Sequence, residues 1–171
     1  MLTLILLRHT KAEAGSLSIA DQDRALATRG RKDAARLGVY IVAQRLQPEL
    51  VLVSPACRTR ETWELAALPS SPDIQMKFEP LIYETTAARL LAIIRRTPAT
   101  VKRLMLVGHN PGLEDLARDI MRDAEPLPRM RLERKYPTGG LAVLTFEQSN
   151  WSQIAPRSGH LADFTAPTYL D

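Results

Sequence analysis

The fold of this protein is decided by the stretch LTLILLRHTK, residues 2–11. Residues 2–7 form a near-continuous apolar run, which is typical of a strand that is buried on both faces of a parallel sheet. Arg8 and His9 end the run abruptly, so two polar side chains follow the carboxyl end of this strand. The stretch therefore predicts a central strand that delivers an arginine and a histidine to one edge of the sheet.

Two further apolar runs end in the same way. Leu50–Val53 is followed by Ser54-Pro55 and then Arg58, and residues 104–107 are followed by Gly108-His109-Asn110-Pro111-Gly112. Ser54 and Asn110 are predicted to cap the helices that follow, because each precedes a proline, and proline suits the first helical position.

Strands and helices alternate along most of the chain. Helices are predicted from residue 28 until Pro48 and over residues 87–96, and strands over residues 74–78 and 140–146. Residues 151–155 are predicted to pair with the last strand as an antiparallel hairpin, residues 123–139 to form a loop, and the last dozen residues an irregular tail. This order predicts an α/β three-layer sandwich, a mostly parallel central sheet flanked by helices, with an antiparallel edge strand.

Length and composition narrow the class of protein. The chain has 171 residues, 45% of them hydrophobic and 25% charged, which predicts a single domain over residues 1–171. The single cysteine excludes an intramolecular disulfide. With only three histidines besides, the chain has too few ligands for a structural zinc site of the cysteine and histidine type to be expected.

Charge and apolar runs indicate the surroundings of the protein. A net charge of +4 suits an anionic substrate, while 5% aromatic residues favour no nucleic-acid partner. No apolar run is long enough for a membrane span or signal peptide, so we expect no membrane partner and a cytoplasmic location. A monomer is the default expectation, because no long apolar stripe is evident.

Four side chains are predicted to meet at one edge of the sheet: Arg8, His9, Arg58 and His109. The carboxyl ends of parallel strands form the ligand-binding edge of open α/β sheets, and two helix N-termini open there. Guanidinium groups bind phosphoryl oxygens in a bidentate manner, so this set suits a phosphoryl group without a metal or cofactor.

An imidazole in such surroundings is a competent nucleophile toward phosphorus. Nearby arginines lower the histidine pKa, and a backbone carbonyl that holds one ring nitrogen would fix the tautomer. His9 would attack in line, His109 would stabilise charge on the phosphoryl oxygens, and water would then release inorganic phosphate.

Three sequence blocks carry a resemblance to a known family. LLRHTKAE at residues 6–13, SPACRT at 54–59 and GHNPG at 108–112 resemble the hallmark blocks of the histidine phosphatase superfamily (branch 1, phosphoglycerate mutase-like), in the family's order. The short length and the segments 23–26, 29–30, 83–84 and 138–144 resemble its SixA-type phosphohistidine phosphatases. The resemblance covers nearly the whole chain.

The resemblance implies a phosphoglycerate mutase-like fold and a metal-independent hydrolase with His9 as phosphoryl acceptor. Arg8 and Arg58 would bind the phosphoryl oxygens, and His109 would complete the pocket. Thr10 stands where the family usually has glycine or alanine, so it and Asn110 are candidate phosphate-binding residues. Glu84 is the candidate proton donor, a role that an alkyl phosphate needs more than phosphohistidine does.

Several functions stay open at this point. By family analogy we expect a phosphohistidine phosphatase that takes part in signal transduction. Its substrate would be a phosphorylated protein, such as a histidine-containing phosphotransfer protein. A small phosphate ester is the alternative substrate, and a catalytically idle phosphoprotein-binding module is the alternative from another class.

Overall fold

The computed structural model describes residues 1–70 and 73–171. Its strands are β1 (Leu2–Arg8), β2 (Leu50–Val53), β3 (Gln75–Phe78), β4 (Arg103–Gly108), β5 (Met121–Ala124), β6 (Leu141–Phe146) and β7 (Gly159–Thr165). Its α-helices are α1 (Thr28–Ala43), α2 (Cys57–Ala67), α3 (Ala87–Arg95), α4 (Gly112–Ile120) and α5 (Pro126–Arg134). Short 3₁₀ turns lie at Asp21–Asp23, Pro80–Ile82, Trp151–Gln153 and Pro167–Tyr169.

The strands form one mixed sheet in the order β3-β2-β4-β1-β6-β7-β5. β3, β2, β4 and β1 are parallel, and β6 runs antiparallel to both β1 and β7. The predicted α/β class with a mostly parallel sheet is thus confirmed. The antiparallel strand is not at the edge as predicted, because β7 and β5 extend the sheet beyond it.

The alternation of β1 divides the core into two apolar layers. Leu4 and Leu6 pack with α3 and α4 on one face of the sheet, whereas Ile5 and Leu7 pack with α1 and α2 on the other. Burial on both faces explains why the strand is near-continuously apolar. In the part of the chain that the structure describes, no helix is both long and apolar enough to cross a membrane.

The carboxyl-terminal third differs most from the sequence predictions. Residues 123–139, predicted as a loop, contain the end of β5 and all of α5, whose first helical residue is Pro126. Residues 151–155 contain no strand, and the first three of them form the 3₁₀ turn Trp151–Gln153, in which Trp151 is buried. The strand that follows β6 along the chain and pairs with it antiparallel is β7, which lies almost entirely in the segment predicted to be an irregular tail.

The strand ends that carry the predicted site are level with one another. Arg8 is paired with Gly108 across β1 and β4, and Val53 with Val107 across β2 and β4. The residues that follow each strand therefore leave the sheet at the same edge, which is where open α/β sheets bind their ligands.

Candidate active site

His9 is held at the carboxyl end of β1 with one ring nitrogen engaged and the ring buried. Nδ1 lies 2.8 Å from the carbonyl oxygen of Thr10, so Nδ1–H donates to it and Nε2 keeps its lone pair. The residue is 8% exposed. Burial, assisted by the charges of Arg58 and Arg8, lowers the His9 pKa to about 4. The ring is therefore neutral at physiological pH.

Two guanidinium groups lie close enough to affect this ring electrostatically. Arg8 Nη1 donates to the Tyr136 carbonyl at 2.9 Å, and Arg58 Nη1 donates to the Asp21 carbonyl at 2.8 Å. The Nε atoms of both arginines are buried and have no hydrogen-bond partner among the described residues. A buried N–H without an acceptor is costly, so these donors favour an anion between them.

His109 lies beside His9, with ring centroids 5.4 Å apart. Its Nε2 is 2.7 Å from the Ser54 hydroxyl, while its buried Nδ1 has no partner among the described residues. Burial, followed by His9 and Arg58, lowers the His109 pKa to about 3. A Ser54 hydroxyl that donates to Nε2 leaves the proton on Nδ1, as a further donor.

Ser54 and Asn110 are not helix caps, contrary to the sequence prediction. α2 starts at Cys57 with Ala56 as its N-cap residue, and the Ser54 side chain binds His109 instead. α4 starts at Gly112, and the Asn110 amide donates to Glu114 and to the Tyr136 carbonyl. Only the Asn110 Oδ1 acceptor is unpartnered, and an acceptor does not bind phosphate.

The Thr10 hydroxyl is engaged by another threonine and not by the arginines and histidines of the site. Thr10 is fully buried, and its hydroxyl lies 3.3 Å from that of Thr62 on α2. The Thr62 hydroxyl also accepts from the Thr10 backbone N–H and donates to the Arg58 carbonyl. Thr10 therefore links β1 to α2, and we leave both it and Asn110 out of the proposed phosphate site.

The mouth of the site is a pocket of about 240 Å³ with exposed acidic residues on its rim. Its lining includes Arg58 and His109, together with Asp21, Tyr83 and Glu84. The Tyr83 hydroxyl donates to Asp21 Oδ2, which also accepts from Arg58 Nη2 at 3.1 Å. These contacts, the Tyr83 hydrogen bond foremost, lower the Asp21 pKa to about 2, and burial and Asp21 raise the Tyr83 pKa to about 12.

Asp21 and Ser54 are site residues that the sequence analysis did not assign. Asp21 lies before α1 in a segment of polar and apolar residues with no strand or helix pattern. Nothing in the sequence therefore indicates that Asp21 contacts Arg58. Ser54 had a signal, its place directly after a buried strand, but this was attributed to capping. No group of three or more histidine, cysteine or carboxylate residues suited to a metal occurs in residues 1–70 and 73–171.

Comparison with known proteins identifies the family. The profile of the histidine phosphatase superfamily (branch 1) matches residues 4–89, which include His9 and Arg58. The chain belongs to this superfamily. An uncharacterised protein of Mycobacterium tuberculosis is 29% identical to this chain over 163 residues, which cover 94% of this chain and 99% of the relative.

Solved structures place this chain in the SixA-type group of the superfamily. A candidate phosphohistidine phosphatase SixA from Agrobacterium tumefaciens is 30% identical, with a TM-score of 0.80 over 97% of this chain and 98% of that one. The protein histidine phosphatase SixA in complex with tungstate, at 20% identity, shares the fold with a TM-score of 0.74 over 99% of this chain and 100% of that one. Family and fold together support a phosphatase function.

Proposed function

We propose that this protein is a metal-independent phosphatase that removes the phosphoryl group from phosphohistidine on a protein, through a phosphohistidine intermediate at His9. One observation carries the proposal: near the His9 ring, whose Nδ1 is held by a carbonyl, three buried side-chain nitrogens have no hydrogen-bond partner among the described residues. These nitrogens are Arg8 Nε, Arg58 Nε and His109 Nδ1, and the nucleophile is His9 Nε2.

Arg8 and Arg58 bind the phosphoryl oxygens in this mechanism, and His109 donates to a third oxygen. A phosphoryl group carries up to about two negative charges near neutral pH. Each hydrogen bond to such an anion contributes roughly 1.5–3 kcal/mol, and low water access strengthens it. The charge that spreads over these oxygens in the transition state is thus stabilised by groups that are already in place.

Two displacements complete the reaction. His9 Nε2 attacks phosphorus, the bond from phosphorus to the leaving atom breaks, and its electron pair departs with the leaving group. The His9 ring is then a phosphorylated imidazolium, whose remaining N–H stays bonded to the Thr10 carbonyl. Water next attacks phosphorus, the His9 nitrogen recovers its electron pair, and the water proton is lost as inorganic phosphate forms.

A phosphorylated imidazole suits this site better than an alkyl ester. When the substrate ring is protonated on its other nitrogen, it leaves as neutral imidazole and needs no further proton. The bond that breaks is then of the same kind as the bond that forms at His9. An alkoxide needs a proton donor, and Glu84 at the rim stays our candidate for that role.

The dimensions of the pocket favour a macromolecular substrate. At about 240 Å³ it is smaller than the 300–1,000 Å³ usual for small-molecule sites. In our proposal the leaving ring lies in this pocket, and the remainder of the substrate stays outside. This agrees with the description of the Agrobacterium relative as a candidate phosphohistidine phosphatase.

The proposal is tested by turnover of a phosphohistidine peptide and of p-nitrophenyl phosphate, with and without EDTA. We expect the wild type to act on the peptide with EDTA present, and His9→Ala to lose at least a thousandfold in kcat, because no nucleophile remains. Turnover that survives His9→Ala, or that EDTA abolishes, contradicts the mechanism. Equal rates on both substrates would favour a general phosphomonoesterase, and binding without turnover would favour the idle phosphoprotein-binding module.

A further inference from the structure

Asp21 stands between the phosphate-binding arginine and the opposite wall of the pocket. Its carboxylate accepts from Arg58 Nη2 and from the Tyr83 hydroxyl through Oδ2, and from Arg24 Nε at 3.0 Å through Oδ1. Its side chain is 47% exposed, whereas that of Arg58 is 7% exposed. The carboxylate is therefore at the mouth of the pocket, and the guanidinium is at its base.

The phosphoryl group does not need to displace Asp21. A guanidinium has five N–H donors, and Asp21 takes two of those of Arg58, one with its carbonyl and one with its carboxylate. Three remain for phosphoryl oxygens, the unpartnered Nε–H among them. Asp21 therefore stays at the rim while a substrate is bound.

The line of attack sends the leaving group toward this carboxylate. In phosphoryl transfer the nucleophile, phosphorus and leaving atom are roughly in line. His9 is 8% exposed, and its ring lies beside that of His109, which lines the pocket. A leaving group on the side of phosphorus away from this buried ring is directed toward solvent, and so toward the pocket mouth. Asp21, Tyr83 and Glu84 line that mouth.

We infer that Asp21 is a specificity-determining residue that favours a positively charged leaving ring, as in an N-phosphorylated imidazolium, over the leaving group of a phosphate ester. The inference rests on the proposed function of His9. An ionised carboxylate stabilises the protonated ring from which phosphorus is taken. The same charge opposes the negative charge that develops on an ester oxygen, and it has no proton to give to that oxygen.

The test uses two small substrates, 1-phosphoimidazole and p-nitrophenyl phosphate, so that recognition of a protein plays no part. Asp21→Asn keeps the shape of the side chain and removes its charge. We expect about a tenfold lower kcat/KM on 1-phosphoimidazole, from the loss of one attraction between charges about 5 Å apart at the protein surface. On p-nitrophenyl phosphate, kcat/KM should be unchanged or rise by up to about threefold.

Asp23→Asn is the matched control, because Asp23 lies on the same 3₁₀ turn, is exposed and does not line the pocket. It removes the same net charge, and we expect it to change the ratio of the two kcat/KM values by less than about twofold. The ratio is measured within one preparation, so a partly unfolded variant does not distort it.

The outcomes separate the inference from the proposed function. If Asp21→Asn leaves the ratio unchanged, or Asp23→Asn lowers it equally, Asp21 does not set the preference, although His9 chemistry stands. If the wild type fails on 1-phosphoimidazole, or His9→Ala retains turnover, the proposed function itself fails. A tenfold drop in the ratio confined to Asp21→Asn supports the inference.

Discussion

His9 and His109 are buried without charge, and this makes the stability of the protein depend on pH. Burial holds their pKa values at about 4 and 3, below the value near 6.5 of an unfolded histidine. Between about pH 4 and 6.5 the unfolded chain therefore binds more protons than the folded one. Stability must rise with pH across this window and fall as the medium is acidified.

We predict that His9→Gln gains stability relative to the wild type as the pH is lowered. The difference in unfolding free energy between variant and wild type should move in favour of the variant by about 2 kcal/mol from pH 7.5 to pH 5. Urea unfolding in phosphate-free buffer at both pH values measures it. If the difference in unfolding free energy between His9→Gln and the wild type is the same at both pH values, burial does not keep the His9 ring neutral.

The residues whose roles were hardest to predict are small polar ones that follow strands. The sequence places Arg8, His9 and His109 correctly at strand ends, because long apolar runs define those ends. For Ser54, Asn110 and Thr10 the same sequence context suits a cap, a ligand contact or a tertiary hydrogen bond. The choice depends on which neighbour lies within hydrogen-bond distance, and this is a property of the folded chain alone.

At the scale of elements, α1 and α2 approach each other closely where a glycine faces a backbone. A Cβ on Gly38 would lie 2.4 Å from the Ala66 carbonyl oxygen, which no side-chain rotation can relieve. A Cβ on Gly15, in the segment before α1, would meet only the flexible side chain of Arg24, at 3.7 Å. The two glycines thus provide a test and its control.

We predict that Gly38→Ala destabilises the protein by about 3 kcal/mol, because the two helices must separate. Gly15→Ala should change the unfolding free energy by less than about 0.5 kcal/mol. Chemical unfolding of both variants measures the difference. A Gly38→Ala variant as stable as the wild type would show that the helices are not in close contact.

Elements were predicted where hydrophobic patterns are long and were missed where they are not. β1, β2 and β4 have apolar runs, and α3 has apolar residues at helical spacing, so their positions follow from sequence. α5 contains two prolines and several arginines and buries only Pro128 and Leu132, which leaves little periodicity. β7 contains His160 and Asp163 among its apolar residues, while the buried Trp151 and Ile154 imitate a strand nearby.

At the scale of the whole molecule, the net charge of +4 says less about where an anion binds than the position of the buried donors does. Arg60 is an exposed neighbour of Arg58 on α2, and both add the same charge to the protein. Of these two, Arg58 is the buried one, and its Nε–H has no partner in the part of the chain that the structure describes. Anion binding should therefore follow the site and not the total charge.

We predict that inorganic phosphate stabilises the folded protein and raises its thermal midpoint. At ten times the dissociation constant the gain is about 1.4 kcal/mol, because the ligand binds only the folded state. Arg58→Met should abolish the rise, and Arg60→Met, the matched control, should keep it. Chloride at equal ionic strength should not reproduce it. A rise that persists in Arg58→Met would place phosphate elsewhere on the protein.

Thr10 and Thr62 connect His9 to Arg58 in the interior of the protein, because the Thr10 carbonyl holds the His9 ring. Thr62 receives the Thr10 N–H, next to His9, and gives its own proton to the Arg58 carbonyl. We expect these hydrogen bonds to hold the loop after β1 and the first turn of α2 at a fixed separation. The distance between the proposed nucleophile and the Arg58 guanidinium would then be set by hydrogen bonds in the interior and not by the exposed rim.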